Sequence, residues 1–176
     1  MAERTIHATL KFTPPMIRTV LVALDYEPSA QYVAEMGYTI ATGLGADLAL
    51  MHVVADYVYY TSTEYSPVMG FSGFNSADVM EQVGVEELKI ASLDYLSITK
   101  HHLGDDNIRT LVAEGDTTDA ILKTASDIGA GLIVLGSHNR RGIDKMIMGN
   151  TAEEILRKTS VPIIVVPTKE FDKSHF

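Results

Sequence analysis

The sequence predicts an α/β domain: an open, doubly wound sheet of five parallel strands with helices on both faces. Three observations lead to this class. Five short runs rich in Val, Ile and Leu recur along the chain, as buried parallel strands require. The segments between them place apolar residues at helical spacing. Finally, 176 residues of which 46% are hydrophobic and 21% charged supply one core of ordinary size.

The elements follow in order. Residues 1–15 stand apart: Ile6, Ala8, Leu10 and Phe12 alternate with more polar residues before Pro14 and Pro15 break the chain. That extension is an added edge strand, an arm onto a partner subunit, or a disordered leader. Residues 19–25 (TVLVALD) read as the first strand. Pro28 opens a helix whose face carries Val33, Met36, Gly37, Ile40, Ala41 and Leu44, and Gly45 suits its left-handed stop. Residues 47–54 (DLALMHVV) form the second strand. Residues 55–76 hold four of the eight tyrosines, lack either period, and read as a long loop. A long helix follows over about 77–102, with Met80, Val83, Leu88, Ala91, Tyr95 and Ile98 along a face. Residues 107–113 (NIRTLVA) form the third strand, and Asp116 caps a helix that carries Ala120, Ile121, Thr124, Ala125 and Ile128. Residues 131–136 (GLIVLG) form the fourth strand. A polar loop over 137–148 leads to a helix over 151–160, and residues 161–167 (VPIIVVP) close the domain. The domain therefore spans 16–168, followed by a frayed polar tail at 169–176.

Composition excludes several functions. The formal net charge is −9 with no Lys/Arg run, which argues against nucleic acid and anionic membranes as partners. With no cysteine, thiol catalysis, iron–sulfur clusters and zinc–thiolate sites are excluded. No apolar stretch reaches the roughly 20 residues of a membrane span, and the N-terminus lacks the apolar core of a signal peptide. A cytoplasmic protein is expected.

In open parallel sheets, ligands bind beyond the carboxyl ends of the strands where strand order reverses. That rule selects residues 25–28, the segment from Val53, and residues 136–151. The last reads GSHNRRGIDKMIMGNT: a glycine at a strand end, a polar loop, then a glycine opening a helix. Glycine admits close backbone approach, and a helix N-terminus offers free N–H donors to an anion. Neither G-x-x-x-x-G-K-[ST] nor a G-x-G-x-x-G after the first strand is present, so this is a nucleotide or phosphate crevice of another kind.

These residues resemble the universal stress protein family. The run from Gly136 through Gly149, the following TAEEILRKTSVPIIVVP, the first strand ending in Asp25 and the second in His52-Val53 carry the likeness, over about 17–168. It implies a Rossmann-like fold of the adenine nucleotide alpha hydrolase type, bound ATP, ADP or AMP, and a homodimer formed through the last strand. Family members that bind ATP carry G-x2-G-x9-G-[ST]. Here Gly136 and Gly149 match, while Asn139 and Asn150 stand at the second glycine and the hydroxyl position. Asn tolerates a left-handed backbone better than most residues, and Thr151 supplies a neighbouring hydroxyl. The departures bear on triphosphate affinity rather than on the fold.

The resemblance implies that Asp25 binds ribose or adenine, and that Ala23, Val53 and Leu135 line the adenine. The amides of Gly136, Asn139, Gly149, Asn150 and Thr151 would hold ribose and phosphates, with Arg140 and Arg141 adding charge. Magnesium, if bound, rides on the phosphates. Asp25 also suits a helix cap, and Thr151 with Glu154 has capping-box spacing. His138 reads as a solvated loop residue. His101 and His102, adjacent on a helix, point apart and make a poor chelate. The tyrosines at 57, 59, 60 and 65 fit either a lid on adenine or a dimer interface. A receiver-type phosphorylation domain is disfavoured, because Asp25 has no adjacent acid. No nucleophile or general base is evident, so a regulatory role in the stress response is expected over efficient catalysis. The alternatives are a dimeric interaction module without nucleotide and a slow ATP-hydrolysing enzyme.

Overall fold

A computed structural model describes residues 16–55, 85–137 and 150–168. Five strands, β1 (Thr19–Ala23), β2 (Asp47–Val54), β3 (Arg109–Glu114), β4 (Leu132–Gly136) and β5 (Ile163–Val166), pair in parallel in the order β3-β2-β1-β4-β5. Among the described residues four helices, α1 (Ala30–Leu44), α2 (Val85–Leu103), α3 (Thr117–Asp127) and α4 (Asn150–Lys158), alternate with them. The doubly wound α/β architecture is the one the sequence predicts. The expectations for residues 1–15, 56–84, 138–149 and 169–176 lie outside the described residues.

Because side chains alternate along a strand, each strand feeds two cores. Val20, Val22, Leu50, Leu132 and Val134 point to one face, where Val33, Ala34 and Ala41 of α1 and Leu96 of α2 cover them. Leu21, Ala49, Met51, Ile133 and Leu135 point to the other, beneath Ile121 and Ala125 of α3 and Ile155 of α4. Both faces of β1, β2 and β4 are buried, which explains their apolar runs, interrupted inside β2 by the buried His52. The last strand lies at the sheet edge, with Ile164 37% exposed.

Local chemistry sets the element ends. Gly45 stops α1 in the left-handed conformation (φ 62°), its N–H reaching the Ala41 and Thr42 carbonyls. Asp116 caps α3 by accepting the Asp119 N–H at 2.9 Å. The first strand ends at Ala23 rather than Asp25: Leu24 N–H still bonds the Met51 carbonyl, after which the chain bends away. Pro28 and Ser29 sit in the turn that precedes Ala30. The third strand begins at Arg109, two residues late, because Asp105 Oδ1 holds the Asn107 N–H in a turn.

Two helices differ from expectation in an instructive way. The buried line of α2 is Ser92, Leu96 and Thr99, while Ile98 is 69% exposed. Ser92 and Thr99 can be buried because each hydroxyl donates to the carbonyl four residues earlier, Leu88 and Tyr95. α4 starts at Asn150, so Thr151 already lies inside it. Glu154 accepts the Thr118 hydroxyl of α3 at 2.9 Å, tying the two helices together instead of closing a capping box.

Gly37 marks where α1 lies closest to the sheet. A Cβ there would sit 2.3 Å from Val22 Cγ2, on a fully buried, β-branched side chain that cannot swing aside. Helix propensity alone favours Gly37→Ala by about 1 kcal/mol. Overpacking opposes it by about 1–3 kcal/mol. The clash should win, so thermal unfolding of this variant is expected to show a lower Tm; a higher Tm means α1 packs less closely than described.

Candidate functional site

Strand order reverses between β1 and β4, which places their carboxyl ends side by side: Ala23 pairs with Leu135 in register, and Gly136 with Val166. A cleft opens there, lined by Ala23, Leu24 and Asp25 after β1, by Ser29, Ala30 and Val33 at the start of α1, and by Gly136. Gly136 lets Val33 and Thr168 close onto the strand end. A Cβ at this position would stand 3.2 Å from Val33 Cγ2 and 3.4 Å from Thr168 Cγ2. The next residue, Ser137, is buried, and its Oγ accepts the Thr168 N–H at 3.0 Å, securing the strand end from the far side.

Asp25 accepts the Glu27 N–H through Oδ1 at 3.1 Å, the local turn that carboxylates favour. Behind this turn lies an aromatic cluster, with His52 buried and Tyr26 and Tyr95 half-buried. His52 Nδ1, and therefore its N–H, donates to the Leu24 carbonyl at 2.8 Å. The Tyr95 hydroxyl donates to the Asp25 carbonyl at 2.8 Å. The Tyr26 ring stands between them, its centroid 4.2 Å from that of His52 and 5.0 Å from that of Tyr95.

Burial pushes the Tyr95 phenol well above the ordinary range, and the nearby Asp25 charge adds to the shift. The unfolded chain releases this proton near pH 10, and the folded chain only at higher pH. The stability contributed by Tyr95 is thus complete below about pH 10 and lost as pH climbs beyond it. Melting temperatures from pH 9 to 11 are expected to fall more steeply for the wild type than for Tyr95→Phe. Parallel slopes contradict the burial of this hydroxyl.

Of the residues expected at a site, Ala23, Asp25 and Gly136 meet in one cleft. Val53 and Leu135 are 8% and 5% exposed and pack with Met51 and Ile133 in the core under α3 and α4, the cluster against which Ala23 also packs. Asn150 is exposed and Thr151 half-buried in the first turn of α4, where amides lack helical partners. Asn139, Arg140 and Gly149 lie outside the described residues, as do Arg141, His138 and the four loop tyrosines. His101 and His102 diverge as expected, toward Asp106 and Glu35. Among the described residues no group of three or more His, Asp or Glu is placed to hold a metal ion, and no helix is long and apolar enough to cross a membrane. Sequence reading missed Ser29, Tyr26, Ser92 and Thr168. Ser29 alone carried a signal, as a small polar residue at a helix start beyond a strand.

A family model for universal stress proteins matches residues 16–167. The chain belongs to the universal stress protein family. Universal stress protein MJ0577 of Methanocaldococcus jannaschii is 22% identical over 157 residues, covering 88% of this chain and 97% of that protein. Universal stress protein YxiE of Bacillus subtilis is 26% identical over 153 residues, covering 86% and 99%. Among solved structures, MJ0577 matches with a TM-score of 0.65 at 19% identity, covering 87% of this chain and 97% of that one. A universal stress protein in complex with cAMP matches with a TM-score of 0.59 at 17% identity, covering 88% and 99%. Identities this low establish the shared fold. The site in this universal stress protein stands on its own geometry.

Proposed function

We propose that this universal stress protein binds ATP or a related adenine nucleotide in the β1–β4 cleft, as a cytoplasmic homodimer that regulates the stress response. The observation that carries the reading is the meeting of Asp25 and Gly136 at the point where strand order reverses. A carboxylate there accepts hydrogen bonds from a ribose diol, and a residue without a side chain admits the sugar and phosphates to the backbone. The solved family member that holds cAMP supports an adenine nucleotide as the ligand class.

In this reading Asp25 takes the ribose, and Ala23 takes one side of the base, with Val53 and Leu135 beneath. The amides of Gly136, Asn139, Gly149, Asn150 and Thr151 hold the phosphates, helped by Arg140. Magnesium is held through the phosphates rather than by a carboxylate cluster. The homodimer forms through β5, whose exposed edge and Ile164 invite antiparallel pairing with the same strand of a second copy.

Mass spectrometry of the denatured, purified protein tests the ligand class. Adenine nucleotide near one equivalent per chain is the expected result. Protein that carries none, and stays unbound after incubation with ATP and magnesium, removes the reading.

A further inference from the structure

We propose that Tyr95 of α2 is a positioning residue for Asp25: its hydroxyl fixes the backbone from which the Asp25 carboxylate faces the cleft. As a role in ligand binding, this rests on the nucleotide reading above. The contact itself does not.

Beyond Ala23 the chain leaves the sheet, so the carbonyls of Leu24 and Asp25 need other donors. Each gets one from a side chain distant in sequence, His52 for Leu24 and Tyr95 for Asp25, both at 2.8 Å. A third tie joins the same turn to α2. The Tyr26 hydroxyl lies 2.8 Å from Ser92 Oγ, and Ser92 already donates to the Leu88 carbonyl, so Tyr26 is the donor. Three consecutive residues are thereby held, the last two by α2.

Asp25 Oδ1 is engaged by the Glu27 N–H. The carboxylate orientation is then set jointly by that turn and by the carbonyl that Tyr95 holds. Burial and the Asp25 charge keep the Tyr95 phenol protonated, and therefore a donor, throughout the neutral range. Tyr95→Phe removes the donor and leaves the ring packing against Tyr26 in place.

The test uses the full chain as wild type, Tyr95→Phe, Asp25→Ala and the double variant, titrated with ATP and magnesium. Tyr95→Phe is expected to weaken ATP binding about 3- to 10-fold, the range of one neutral hydrogen bond. In the Asp25→Ala background the same substitution should have almost no effect, because nothing remains to position. An equal loss in both backgrounds overturns the proposal. A second readout needs no ligand: hydrogen exchange at the Glu27 amide should quicken in Tyr95→Phe while the β1 and β4 amides keep their protection. An unchanged Glu27 amide overturns the proposal. If the wild type fails to bind ATP, the nucleotide reading falls, and the Glu27 amide alone decides whether Tyr95 holds this turn.

Discussion

Leu50→Ala is expected to lower the unfolding free energy by about 2–5 kcal/mol, the range for a buried leucine that leaves a cavity. Leu50 is fully buried on β2, with β1 and β3 as its neighbours in the sheet and α1 and α2 above it. The site can collapse little. The strands on either side are fixed by parallel ladders, and the close approach at Gly37 prevents α1 from settling further. The urea midpoint should therefore fall with little change in slope. Ile164→Ala, on the exposed sheet edge, should cost under about 1 kcal/mol in a monomer. If it costs more, and increasingly so at higher protein concentration, Ile164 is buried between subunits. A Leu50→Ala loss below about 1 kcal/mol contradicts the packing of α1 and α2 on this face.

Asp25→Ala is expected to weaken ATP binding about 10- to 150-fold, corresponding to about 1.5–3 kcal/mol for a hydrogen bond to a charged group. Part of any loss could come from the local turn, since alanine also abandons the Glu27 N–H. Asp25→Asn separates the two contributions. Its amide oxygen still accepts from Glu27 and still fits the cleft, but carries no charge. The account predicts an intermediate affinity for Asn and an unchanged Tm relative to wild type. Calorimetric titration of the three proteins reads this out directly. Equal affinities across the series place the ligand elsewhere.

How much of this could be read from the sequence follows from the range of each interaction. β1, β2 and β4 were legible because a strand buried on both faces is apolar at nearly every position, the buried His52 of β2 being matched by its bond to the Leu24 carbonyl. Asp25 and Gly136 were legible because strand ends at a reversal of order are few, and a carboxylate and a glycine stand at two of them. The inner face of α2 was read with an offset, since Ser92 and Thr99 look polar until their hydroxyls turn back onto the helix. The support behind Asp25 was out of reach. His52 and Tyr95 lie 28 and 70 residues from the carbonyls they hold, and no local pattern records such pairs. Thr151 and Glu154 had capping-box spacing, yet Glu154 bonds Thr118 on the neighbouring helix, a partner fixed only by tertiary packing.

The central claim is that an adenine nucleotide occupies the cleft between β1 and β4. Backbone amide NMR of the wild-type protein titrated with ATP and magnesium tests it most directly, because it reports both binding and place. The account predicts saturable shifts at residues 23–27, 29, 136–137 and 150–151, with Gly45 and Gly131, at the amino ends of β2 and β4, unmoved. Absence of shifts at saturating ATP, or shifts confined to those amino ends of the strands, would contradict it.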